Sequence, residues 1–170
     1  DYGHGLLTPK IINQLENKSK YLALNTQMNS FNIGHYTISK YSDVNYVCVH
    51  EGELRNDYRD QNNNIENLTK SLSKRINAEV IVITKGNEGS LVYDNNDFIN
   101  CPAYAGKVVD RIGAGDTLLA ITSLCFAVGM PKDLTLLIGN LAAAEMVASI
   151  GTGMKLSKNN ILKSIQSLLK

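Results

Sequence analysis

Hydrophobic and polar positions along this chain switch between two periods, and the switches mark its elements. Thr8 followed by Pro9 is a helix start with proline at the first helical position, after which Ile11, Ile12 and Leu15 fall on one face. Short apolar runs at 21–24 and 46–49 predict two strands. Between them lie a polar, Asn-rich loop over 25–34 and a short segment over 36–41. Residues 51–60 suit a brief helix, which the polar run Gln61, Asn62, Asn63 and Asn64 ends. Ile65, Leu68, Leu72 and Ile76 then recur at helical spacing and predict a helix over 65–76.

The clearest strand is 80–83, four β-branched residues in a row, as in a parallel sheet covered on both faces. Residues 90–93 and 98–100 flank Asn95 and Asn96, which predicts a hairpin. Two strongly apolar helices follow, over 114–128 and 134–150, separated by Gly129, Met130 and Pro131, and a last helix is expected over 157–169. No internal repeat is visible. Strands alternating with helices predict an α/β fold on a mainly parallel sheet. In such sheets functional residues gather at the carboxyl ends of the strands. That rule selects the loops from Asn25, over 50–53, over 84–89, and on the approach to Gly113.

Composition narrows the class. At 170 residues, 44% hydrophobic and 19% charged, the chain can bury a core and is globular rather than disordered. Seventeen basic against sixteen acidic residues leave no electrostatic footprint for nucleic acid or an anionic membrane. The most apolar stretch, 118–130, is interrupted by Thr122, Ser123 and Gly129 and is too short to span a bilayer. The first residues form no signal peptide. Cys48, Cys101 and Cys125 are widely spaced, with no CxxC and no companion histidine spacing, so they predict core thiols in a reducing cytoplasm.

The sequence VVDRIGAGDTLLAITSLCFAVG, at 108–129, places two glycines and a carboxylate where an apolar helix begins. A helix start presents unpaired amides and a positive dipole end, and glycine lets a phosphate come close to the backbone. An aspartate in that first turn can take the proton of a hydroxyl delivered to it. Gly113, Ala114, Gly115 and Asp116 thus have the parts for phosphoryl transfer to an alcohol, although a capped glycine turn has the same composition. The GxGxxG and Walker A patterns are both absent. Thr84, Lys85, Gly86, Asn87, Glu88 and Gly89 follow the strongest strand and suit a second phosphate-binding turn.

Together, V-I-T-K-G-x-x-G and the later V-D-R-I-G-A-G-D resemble the carboxyl-terminal half of the ribokinase-like (pfkB-type) sugar kinases, whose signature D-[TR]-x-G-A-G-D matches residues 110–116. The run Asn140 to Ala144, with Val147, Gly151 and Thr152, is similar to the nucleotide-pocket helix and loop of the heptose-phosphate kinase branch. Residues 1–6 resemble that branch's S-D-Y-x-K-G strand end, with His4 where lysine is usual.

The resemblance implies a three-layer α/β/α ribokinase-like fold of which 1–170 is the nucleotide-binding and catalytic carboxyl-terminal portion. It implies Asp116 as base and the Gly113, Ala114 and Gly115 amides as anion hole. Thr84, Gly86 and Gly89 would line the triphosphate, Asn140 would lie near adenine or ribose, and Arg111 could reach a phosphate oxygen. Gly151 belongs to the same nucleotide site. The family's N-x-x-E motif falls on 50–53, where His50 replaces the asparagine and Glu53 keeps the acid. Glu53 would therefore organise Mg2+ only through water.

The implied ligands are ATP, Mg2+, optionally a monovalent cation such as K+, and a sugar or sugar phosphate. A cytoplasmic enzyme, open to homo-oligomer formation, is expected. The amino-terminal sugar-binding half and lid are expected to be absent from this chain, and the isolated chain is expected to be inactive. A non-catalytic nucleotide-binding or regulatory module with the same fold is the competing expectation.

Overall fold

The computed structural model describes residues 1–32, 38–106, 108–148 and 156–168. The elements run α1 (Pro9–Lys18), β1 (Ala23–Leu24), β2 (Tyr46–His50), α2 (Glu51–Tyr58), α3 (Ile65–Ile76), β3 (Val80–Thr84), β4 (Ser90–Tyr93), β5 (Phe98–Cys101), α4 (Ala114–Ala127), α5 (Lys132–Val147) and α6 (Lys158–Leu168), with short 3-10 turns at Ile38–Lys40 and Gly86–Glu88. One five-stranded sheet has the order β1-β2-β3-β4-β5. β1 and β3 both run parallel to β2. The links from β3 to β4 and from β4 to β5 are too short for a crossover, so those neighbours are antiparallel and the sheet is mixed. No helix among the described residues is long and apolar enough to cross a membrane.

The chain divides into two compact units. The first comprises Asp1–Lys85 and Leu91–Ile99. Its core is built from Val47 and Val49 of β2, Ile81 and Ile83 of β3, and Leu68, Leu72 and Ile76 of α3. The β-branched run of β3 is buried at its centre, as its composition requires, and the α3 stripe lies against the sheet. Asn64 caps α3 by accepting from the Glu66 amide at 2.7 Å, and Asn77 ends it in the left-handed conformation at φ 49°. On α1, Thr8 caps as expected, but only Ile12 is buried, while Ile11 and Leu15 stay exposed. The strand expected over 21–24 shortens to Ala23–Leu24, because the Leu22 amide bonds the Asn45 side chain (2.8 Å) instead of the ladder. Register aligns His50 with Thr84, so the carboxyl ends of β2 and β3 lie side by side.

The second unit comprises Gly86–Ser90 and Asn100–Lys170. α4 and α5 pack so closely that a Cβ on Gly139 would lie 2.5 Å from Thr122 Cγ2. Thr122 is buried, its hydroxyl donating to the Leu118 carbonyl at 2.6 Å, so its methyl has nowhere to retreat. Gly139→Ala is expected to lower stability by about 1–2 kcal/mol, overpacking outweighing the gain in helix propensity. Adding Thr122→Ser, which removes only the methyl, should recover most of that loss in a denaturation double-mutant cycle. The apolar character of α4 does not bury it all round: Leu124 and Val128 are 68% and 78% exposed. Cys48 and Cys101 are buried thiols, as their spacing predicted, and burial pushes the Cys101 pKa up.

Candidate active site

Within the second unit, the chain turns into α4 at Gly113, whose φ of 83° is left-handed and unfavourable for any residue with a Cβ. The first helical bond runs from the Thr117 amide to the Gly113 carbonyl at 2.9 Å, which leaves the amides of Ala114, Gly115 and Asp116 ahead of the hydrogen-bond ladder. No side chain caps them. A Cβ on Gly115 would meet nothing within 4 Å, so its backbone is open to an approaching group. Asp116 stands exposed in this first turn, beside the positive end of the helix dipole.

The loop leading there is held from two sides. The Val109 and Asp110 amides both donate to the Val147 carbonyl at the end of α5, at 2.7 and 3.2 Å. Asp110 Oδ1 in turn accepts from the Ile112 amide at 2.9 Å, closing a turn around Arg111, which points to solvent. Met146 of α5 lies 3.7 Å from the position a Gly113 Cβ would take. Neither the Val147 tether nor the Met146 contact is visible in the motif itself, because both come from a helix thirty residues on.

The second turn divides its two glycines between different tasks. Gly86 has φ 60° and open space around it, which suits a ligand approach. Gly89 has φ 93°, and a Cβ there would lie 2.0 Å from the Cys101 carbonyl oxygen and 2.6 Å from Pro102 C. Its glycine is demanded by the chain crossing it. Asn140 is 6% exposed and donates to Ser90 Oγ (2.6 Å) and to the Leu136 carbonyl (2.9 Å), so both amide hydrogens tie α5 to β4.

The first unit carries Thr84, half-buried at the end of β3, and Glu53. Glu53 and His50 form a capping box at the start of α2. Glu53 Oε2 accepts from the His50 amide at 2.8 Å, Oε1 accepts from the Met28 amide at 3.2 Å, and His50 Nδ1 accepts from the Gly52 amide at 3.0 Å. Each Glu53 oxygen keeps a lone pair for a water, so the residue fits an indirect role towards a hydrated cation. No group of three or more His, Cys, Asp and Glu among the described residues could hold a metal ion directly. Gly151 and Thr152 lie outside the described residues.

A family model for pfkB family carbohydrate kinases matches residues 10–159. The chain belongs to the pfkB family of carbohydrate kinases. This pfkB-family chain is 30% identical over 155 residues to the bifunctional protein HldE of Campylobacter jejuni subsp. doylei, a match covering 89% of this chain and 33% of that protein. With the HldE of Methylococcus capsulatus it shares 34% identity over 89 residues, 52% of this chain and 19% of that protein.

Among solved structures, phosphofructokinase-2 from Escherichia coli in complex with potassium superposes with a TM-score of 0.78 at 15% identity, covering 95% of this chain and 52% of that one. A putative ribokinase II from E. coli in complex with ATP and Mg2+ gives 0.64 at 22% identity, over 73% and 40% of the respective chains. The fold is thus the ribokinase-like α/β fold expected from the sequence. The pfkB-family chain spans a third (33%) of that Campylobacter HldE and about half (52%) of phosphofructokinase-2.

Proposed function

We propose that this chain is the nucleotide-binding and catalytic portion of an ATP-dependent sugar or sugar-phosphate kinase. The observation that carries the reading is the start of α4, with uncapped amides, an open Gly115 and an exposed Asp116 in a single turn. The amides of Gly113, Ala114 and Gly115 hold the transferring phosphoryl group through their N–H donors. The acceptor hydroxyl oxygen bonds to the γ-phosphorus, the bond to the β,γ-bridging oxygen breaks, and ADP leaves. Asp116 takes the hydroxyl proton.

Thr84 and Gly86 offer a hydroxyl and an open backbone to the triphosphate, and Gly89 keeps that turn in shape. Arg111, exposed in the turn before the cradle, reaches a phosphate oxygen. Asn140 acts by fixing α5 against β4 beside the nucleotide. Glu53 would hold Mg2+ through water, and the cation would supply neutralisation of part of the triphosphate charge. The acceptor best supported by the sequence resemblance is a heptose phosphate. The use of both Glu53 oxygens in backbone caps favours one competing reading, a nucleotide-binding module without transfer.

Two outcomes test the proposal. The natural full-length protein should release ADP from ATP in step with phosphorylation of a sugar-phosphate acceptor, whereas the 170-residue chain alone should bind ATP weakly and turn over no acceptor. Robust turnover by the isolated chain would overturn the second expectation. Gly115→Ala should raise thermal stability slightly, by up to about 1 kcal/mol, since the site is open and helical. The same change should lower phosphoryl transfer by crowding the amide cradle, a split that a purely structural glycine would not produce.

A further inference from the structure

One side chain from outside the loop packs on the turn into α4. Met146 of α5 lays its Cγ and Sδ 3.7 and 3.8 Å from the position a Gly113 Cβ would take, and among the described residues nothing else beyond the neighbouring chain comes within 4 Å of it. Gly113 itself, left-handed at φ 83°, has no side chain to hold its place, and no side chain caps the helix start. Ile112, just before it, is 73% exposed. The residue after Met146 supplies the Val147 carbonyl, which accepts the Val109 and Asp110 amides at 2.7 and 3.2 Å. One turn of α5 therefore meets the cradle loop twice, by a carbonyl where the loop enters and by a thioether where it becomes helix.

A thioether suits this contact, because an unbranched, polarizable side chain moulds to a backbone turn that offers no Cβ. It is also a side chain that a single chemical step turns from apolar to polar. Met146 is half-buried, whereas Val147 beside it lies in the core at 8% exposure. Resting on the kinase reading above, we propose that Met146 is a positioning residue for the phosphoryl cradle and that oxidation of its sulfur slows transfer. The oxidant is a peroxide: the sulfur lone pair takes one oxygen of hydrogen peroxide, the O–O bond breaks, and water leaves. A dithiol reverses the step, becoming a disulfide as the sulfoxide oxygen departs in water. The sulfoxide is bulkier and polar, and it sets an acceptor oxygen beside uncapped amides that the phosphoryl group needs. Met146 acts through Gly113 and touches no substrate.

The test uses the natural full-length protein, unmodified and as Met146→Leu and Met146→Ala, each before and after dilute hydrogen peroxide. Peptide mass spectrometry scores oxidation at residue 146. Hydrogen exchange of the amides at 113–117 reads the cradle whether or not transfer occurs, and thermal melts establish that the variants fold. Peroxide should speed that exchange at least about threefold in the unmodified protein and leave Met146→Leu unchanged. In parallel kcat should fall about tenfold while ADP affinity stays within about threefold, and methionine sulfoxide reductase should restore it. Met146→Leu, which refills the contact without sulfur, should keep kcat within about twofold and resist peroxide. Met146→Ala should lose about tenfold in kcat without any oxidant. Oxidation at residue 146 with exchange and kcat unchanged, an equal loss in Met146→Leu, or full kcat in Met146→Ala overturns the proposal. So does a sulfur that peroxide leaves unoxidised. Failure of the kinase reading shows separately, as transfer that is absent from the reduced protein, or survives loss of Asp116, while the exchange responses hold.

Discussion

Gly89→Ala is expected to lose at least about 3 kcal/mol of stability, near the top of ordinary single-residue losses, and about 10 °C in Tm. Two costs combine. The left-handed φ of 93° disfavours any L side chain, and the new methyl carbon would sit 2.0 Å from the Cys101 carbonyl oxygen, with Pro102 C at 2.6 Å and Ala103 N at 2.7 Å. These are backbone atoms, so no rotamer change relieves the clash, and the segment 101–103 has to move. Gly86→Ala is the internal control. It shares the positive φ, 60°, but meets nothing within 4 Å, so its loss should stay near about 1–2 kcal/mol. Equal melting temperatures for the two variants would refute this division of labour.

The contrast between these two glycines also shows how far the sequence is readable. Both appear in the T-K-G-x-x-G turn, and both suggest phosphate contact from their spacing. Only the folded chain reveals that Gly89 lies under residues 101–103, because that crossing is a tertiary contact with no local signal. The strongest local patterns were legible: the β-branched run of β3 and the α3 stripe both lie in the first unit's core. The GAGD segment was legible as a helix start, since glycine and an acid at the head of an apolar run have a physical meaning there.

What the sequence concealed is which polar group bonds which. Asn140 was expected beside the base or ribose, yet its amide hydrogens serve Ser90 and the Leu136 carbonyl, fifty and four residues away. Glu53 is expected to act on a cation only through water, and the sequence does not show that its two oxygens also meet backbone amides, one from the loop after β1. Exposure was equally hidden: α4 is strongly apolar, but Leu124 and, at its C-cap, Val128 are exposed.

In the proposed mechanism Asp116 accepts the proton of a sugar hydroxyl. Asp116 is exposed and sits in the first turn of α4, so Asp116→Asn keeps the side chain's size and can leave the fold intact. It removes only the charged acceptor that general-base chemistry needs, a contribution of about 10²–10⁴ in rate. The deciding measurement is single-turnover phosphoryl transfer by the natural full-length protein and its Asp116→Asn variant, with ADP affinity measured on the same samples. Transfer is expected to slow by about a thousandfold while ADP affinity stays within about threefold. Transfer within about tenfold of the unmodified rate, at full nucleotide saturation, would contradict it.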